Sequence, residues 1–135
     1  MNVSFRELKG MNKELHAKLQ THGVKSAQNF LAASRTPKGR QELAAKTGHS
    51  PKHILELANR ADLARVKGVG RIYADLLEEA GIDTVKELAN RVPANLHEKL
   101  VEVNNAKQFA RRAPRASDVK AWIAQAKKMP KKLEY

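Results

Sequence analysis

Residues 61–77 read Ala-Asp-Leu-Ala-Arg-Val-Lys-Gly-Val-Gly-Arg-Ile-Tyr-Ala-Asp-Leu-Leu, and nearly every position constrains the backbone. Leu63 and Val66 are three apart, so they share one face of a short helix. Gly68 ends that helix, because glycine alone enters left-handed backbone space cheaply. Val69 is apolar in the middle of a turn and makes sense as a plug between two helices. Gly70 opens a second helix, whose first N–H groups lack intrahelical acceptors and carry the positive end of the helix dipole. Such a place suits an anion. Lys67 and Arg71 flank the turn, and arginine is well shaped for forked contact with phosphate oxygens. Ala74 keeps the second helix close to the first, while Tyr73, Leu76 and Leu77 are expected to pack inward. The plainer reading of the same residues is a glycine-marked turn between two core helices of an unrelated bundle.

These residues resemble the helix-hairpin-helix motif of DNA-binding proteins, in which Gly-apolar-Gly follows two spaced apolar residues and precedes a small residue four positions later. The resemblance implies that the backbone amides of Gly68, Val69 and Gly70 hold one phosphate strand while Lys67 and Arg71 add charge. Such contacts position a nucleic acid without reading its sequence.

The pattern occurs twice. Shifted by 58 positions, Phe5 falls on Leu63, Leu8 on Val66, Lys9 on Lys67, Gly10 on Gly68, Met11 on Val69, Leu15 on Tyr73 and Leu19 on Leu77. The register continues through Gly23-Val24 on Gly81-Ile82, Ser26 on Thr84 and Phe30 on Leu88. Ser4 with Glu7 makes a capping-box pattern, and Asp62 is its N-cap counterpart. An internal duplication is the economical explanation. The first copy places Asn12 where Gly70 stands and His16 where Ala74 stands. Asn tolerates left-handed geometry, but a residue larger than alanine is expected to splay the helices. Lys9, Gly10, Asn12 and Lys13 therefore form a weaker phosphate site or a structural turn.

Over nearly its whole length the chain also resembles a bacterial family known only as domain of unknown function 4332. The features that carry this are Thr36-Pro37-Lys38-Gly39-Arg40, Ala61-Asp62-Leu63 leading into Lys67-Gly68-Val69-Gly70, Tyr73 to Glu78, Ala80 to Val85, and Trp122-Ile123. That resemblance implies no activity; only the hairpins imply DNA.

Charge narrows the function further. The chain of 135 residues carries a net charge of +12, with no cysteine. The surplus is uneven: +7 over residues 1–60, −2 over 61–104 and +7 over 105–135. Arg111, Arg112 and Arg115 make the densest arginine cluster, with lysines following into the tail. A surplus of this size favours a polyanionic partner, although charged runs also serve simply as solvated faces. Because the best hairpin lies in the acidic middle, folding must bring a basic end beside it.

The rest of the chain reads as helix throughout. Helices are expected from Ser4, from Asn12 or Lys13 to Thr21, from Ser26 to Ser34, over 37–47, and over 51–60 with Gly48 between the last two. Further helices follow Thr84, Pro93 and Ser117, the last with an inward stripe of Val119, Trp122, Ile123 and Ala126. Nothing alternates with a strand's period. The expected fold is all-α: a compact helical domain of two duplicated helix-hairpin-helix units with additional helices, split at 1–60 and 61–135. No stretch is long and apolar enough to cross a membrane, which with the absence of cysteine suits a cytoplasmic, even nucleoid-associated, protein. His49 and His53 straddle a helix start rather than share a face, and no nucleophile or metal-ligand set is complete. The expectation is therefore a non-enzymatic protein without cofactor or metal that binds duplex or branched DNA, with RNA as another candidate, in repair, recombination or chromosome maintenance. The alternative is a protein-interaction module on the same scaffold.

Overall fold

Polar N-caps and left-handed glycines cut the chain into helices. A computed structural model describes residues 5–135. After a 3-10 turn at Phe5–Glu7 come α1 (Lys13–Thr21), α2 (Ala27–Ala33), α3 (Pro37–Thr47), α4 (Pro51–Leu63), α5 (Arg71–Glu79), α6 (Val85–Ala89), α7 (Pro93–Lys107) and α8 (Ala116–Lys128). No strand occurs among the described residues. Ser26, Thr36 and Thr84 cap α2, α3 and α6 by accepting from Asn29, Gly39 and Glu87 amides, each satisfying one donor that the helix cannot. The expected Ser4 cap lies outside the described residues.

Two units emerge. One holds the described residues up to Asp62 together with Lys131–Tyr135, the other Leu63–Pro130. The sequence reading had kept the basic tail with the second half; the structure groups its last five residues with the first. Each unit repeats one plan. Met11 N–H bonds Leu8 O at 3.0 Å and Val69 N–H bonds Val66 O at 3.1 Å; Val24 and Ile82 likewise bond Leu19 and Leu77. Gly10 and Gly68 take φ of 94° and 92°, and Gly23 and Gly81 take 85° and 93°. The repetition continues beyond the stretch that the sequence alignment reached. Proline opens both α3 and α7. In α4 the buried stripe is Ile54, Leu57, Ala58 and Ala61, and in α8 it is Val119, Trp122, Ile123 and Ala126, each 65 positions later. Within each unit this last helix backs the glycine turn. A Cβ on Gly10 would lie 3.3 Å from Leu57, and one on Gly68 would lie 3.0 Å from the Trp122 indole nitrogen.

Several local expectations give way. A separate short helix, the 3-10 turn at Phe5–Glu7, precedes only the first hairpin; the second turn follows directly on α4, with Val66 N–H bonding Leu63 O. Asp62 is no N-cap but a buried residue within α4. Asn12 is extended rather than left-handed (φ −138°, ψ 171°), as is Gly70 (φ −86°, ψ −172°). His16 N–H bonds Asn12 O at the same 2.9 Å as Ala74 to Gly70, so the first turns of α1 and α5 close alike; its ring rests against Phe5. Arg115, not Ser117, precedes α8, and its N–H bonds the Asp118 carboxylate at 2.9 Å.

The tail is anchored by a buried arginine. Arg40 donates to the carbonyls of Ser34, Arg35 and Glu134, and Glu134 N–H returns a bond to Arg35 O at 2.8 Å. Leu133 is buried, and the Tyr135 hydroxyl donates to Asn59. Gly39, one residue earlier, is tight for a different reason: a Cβ there would meet Ala33 O at 2.3 Å. We predict that Gly39→Ala costs about 1–3 kcal/mol in chemical denaturation by overpacking. Gly70→Ala, where a Cβ meets nothing within 4 Å, should change stability by less than about 0.5 kcal/mol. Equal effects would refute this assignment of space.

Candidate functional site

The two glycines of the second hairpin have separate jobs. Gly68 supplies the left-handed bend and leaves room for Trp122. Gly70 sits extended at the N-cap of α5 with open space where a side chain would be, and no side chain caps that helix. The N–H groups of Arg71, Ile72 and Tyr73 therefore meet no protein acceptor among the described residues. The first turn of α5 carries no acidic residue, the nearest on that helix being Asp75, so no carboxylate of that turn offsets the positive end of its dipole. Downstream acidic charge is partly neutralised where Glu79 pairs with Lys107 at 2.9 Å.

Facing this helix end is the connection between α7 and α8. Gly68, Gly70, Arg71, Ile72 and Tyr73 share an open cleft of about 670 Å³ with Ala110, Arg111 and Arg112. Three arginines thus line the cleft at the uncapped helix end. None of the three forms an ion pair among the described residues, and all are exposed. Ile72 is also exposed, at 44%.

The loop is held in place by specific bonds. Asn104, buried on α7, accepts from Ala110 N–H at 2.9 Å and donates its amide to Ala110 O at 3.1 Å. Gln108 turns the chain at the end of α7 with φ 52°, its N–H bonding Asn104 O at 2.7 Å. From the other side the Tyr73 hydroxyl donates to Arg112 O at 3.2 Å, while its ring lies tilted against Trp122. Asn104 and Tyr73 fix the backbone that carries Arg111 and Arg112. Sequence reasoning missed Asn104 because an asparagine inside a helix has no local signature of what it bonds.

Of the residues singled out from sequence, Gly68, Gly70, Arg71, Arg111 and Arg112 come together in this cleft. Val69 is a buried plug as expected, but its N–H is already committed to Val66 O. The available amides accordingly begin after it, in the first turn of α5. Lys67 is outside the cleft lining, and a single carboxamide, that of Gln125, both accepts from its N–H at 2.7 Å and donates to its carbonyl at 3.4 Å. Arg115 is engaged with Asp118 at the start of α8. Trp122 is a core residue.

The first unit supplies an internal comparison. There Asn12 caps α1 with its own side chain, accepting from Leu15 N–H at 2.8 Å. Its turn carbonyls are held by α4, with Arg60 bonding Lys9 O and His53 lying 3.1 Å from Gly10 O. The His53 ring also stacks on His49. Lys13 is an exposed first residue of α1. Only Gly48, His49 and Ser50 join α3 to α4, whereas eight residues, 108–115, join α7 to α8. The first copy therefore has neither the open helix end nor an arginine-bearing loop to face it. Among the described residues no group of three or more His, Cys, Asp or Glu could hold a metal ion, and no helix is long and apolar enough to cross a membrane.

Residues 9–129 match the family described as Domain of unknown function (DUF4332), and the chain belongs to it. No curated protein and no solved structure matches the chain.

Removing the Asn104 side chain function should release the loop. In Asn104→Ala the Ala110 amide loses its acceptor, a change worth about 1–3 kcal/mol when the group stays buried. Hydrogen exchange should show the Ala110 amide protected in the parent protein and at least tenfold faster in the variant; unchanged exchange would remove Asn104 from this role.

Proposed function

We propose that this DUF4332 protein binds DNA through its sugar-phosphate backbone, without sequence preference, at the cleft formed by Gly68–Tyr73 and Ala110–Arg112. The reading treats residues 63–77 as a helix-hairpin-helix of the DNA-binding superfamily. The observation that carries it is the meeting of an uncapped helix N-terminus with Arg71, Arg111 and Arg112, in the one repeat whose connection is long enough to provide the last two.

Each part suits a phosphodiester. Backbone N–H groups at a helix start donate to phosphate oxygens while the dipole favours their charge. Arginine adds bidentate, permanently charged contacts. Neither group reads a base edge, so affinity follows charge rather than sequence. With the first hairpin self-capped by Asn12, the chain offers one phosphate seat of this kind. The protein acts as a binding module, with no catalytic step assigned.

A protein-interaction module is the second reading, favoured by one observation: Ile72 is a large apolar side chain exposed at the cleft. The readings part on charge. If DNA is the ligand, Ile72→Ser leaves affinity nearly unchanged while arginine removal weakens it strongly; a protein partner would reverse that order.

Gly70→Asp gives the decisive variant. It places a good N-cap carboxylate in open space, so thermal stability should hold or rise, while the same carboxylate occupies the phosphate seat. Duplex affinity by fluorescence anisotropy should fall at least about tenfold. Arg111→Ala with Arg112→Ala should lower the slope of log K against log salt by roughly 1.8, about 0.9 for each lost phosphate contact. Affinity that is flat with salt in the parent protein, or retained in Gly70→Asp, would reject DNA binding at this cleft.

A further inference from the structure

The loop that borders the phosphate cleft has a second face. Asn104, Asn105, Gln108, Phe109, Ala110 and Arg111 line a cavity of about 520 Å³, and it shares Ala110 and Arg111 with the cleft at the start of α5. Its chemistry differs from that of its neighbour. Arg111 is its only ionised side chain, so it is poorly suited to a second phosphate. Three carboxamides and an aromatic ring line it, so it is poorly suited to a lipid chain or an apolar helix.

The Asn104 carboxamide is consumed by Ala110, which makes it part of a fixed wall. The carboxamides of Asn105 and Gln108 are exposed and engage no other described residue. Phe109 is half-buried, its inner part packed against the core of its unit. Gln108 is the single non-glycine residue in left-handed space among the described residues. Glycine would adopt that backbone with less strain, yet the position presents a donor and acceptor pair at the cavity, and such strain concentrates where ligands are held.

We propose that this cavity takes a nucleobase of a single-stranded nucleic acid whose adjoining phosphate occupies the cleft at the start of α5. The inference rests on the phosphate reading above. Carboxamides match the paired donor and acceptor edges of bases, and an aromatic ring held by a protein core is a stacking surface for any base. Arg111, common to both cavities, joins the phosphate side to the base side. A base stacked and paired within a duplex cannot enter, so the site selects unpaired nucleotides. Shape and stacking dominate over edge reading, so the choice among bases is weak.

The test uses the full chain and three fluorescent DNA probes of equal length: a single strand, the same backbone lacking its bases, and a duplex. The parent protein should bind the intact strand at least about fivefold more tightly than either other probe, the lower bound for one stacked base. Gln108→Gly combined with Phe109→Leu should bring the intact strand down to the affinity of the baseless one, leaving affinity for the baseless strand and its salt dependence unchanged. Gln108→Gly alone relieves backbone strain and should melt no lower than the parent, so it keeps the comparison available if the double variant unfolds; it should show part of the same loss. Equal binding of intact and baseless strands overturns the base pocket and leaves the phosphate seat standing. Equal losses on both strands in the variants also overturn it, by making the residues merely structural. Binding of none of the probes overturns both readings.

Discussion

The close seating of each glycine bend against the last helix of its own unit governs the rest of the architecture. At Gly68 a side chain would press on the Trp122 indole, and at Gly10 one would press on Leu57. Gln125 then fixes Lys67 through both its N–H and its carbonyl. In the first unit Arg60, also 65 positions earlier, performs the corresponding task on Lys9. With the bend fixed on both sides, the following helix has one direction available. Its N-terminus is aimed by packing some distance from the amides themselves.

From that common frame the two units diverge by small local changes with large electrostatic results. Asn12 brings its own acceptor to α1; Gly70 brings none to α5. A lengthened connection then carries two arginines to the open end, and Asn104 and Tyr73 hold its backbone. Of the acidic residues that make the middle of the sequence unpromising, Asp75, Glu78 and Glu79 lie on α5 after its first turn and the others outside that helix. Net charge by segment was therefore a poor guide to local potential, because helices separate charges that sequence places side by side.

Much of the scaffold was legible because its determinants are local. Ser26, Thr36 and Thr84 are caps wherever the chain goes, and Gly10 and Gly68 announce a bend that other residues resist. The helical stripe of Val119, Trp122, Ile123 and Ala126 declares its buried side by spacing alone. What escaped depends on partners distant in sequence. The equivalence of α4 and α8 was hidden by the change in register, which falls from 58 to 56 at the prolines opening α3 and α7 and then rises to 65 through a longer α7 and a longer connection. Nothing near Arg40 in sequence marks its anchoring role, because Glu134 supplies one of the carbonyls it bonds. Asp62 looked like a cap because its residue type permits that role, but α4 runs through it. The meeting of Arg111 and Arg112 with α5 was expected only as a requirement that some basic segment fold back; which one did so was set by the Asn104 bonds.

The return of Lys131–Tyr135 to the first unit has a consequence for the order of assembly. During synthesis from the N-terminus, Arg40 emerges long before the carbonyl of Glu134 that it bonds, and the place of Leu133 in that core stays vacant until all of the second unit has left the ribosome. The described residues of the second unit form one run, Leu63–Pro130, and can acquire their native contacts first. Of the two units, the one translated first is the last to be finished.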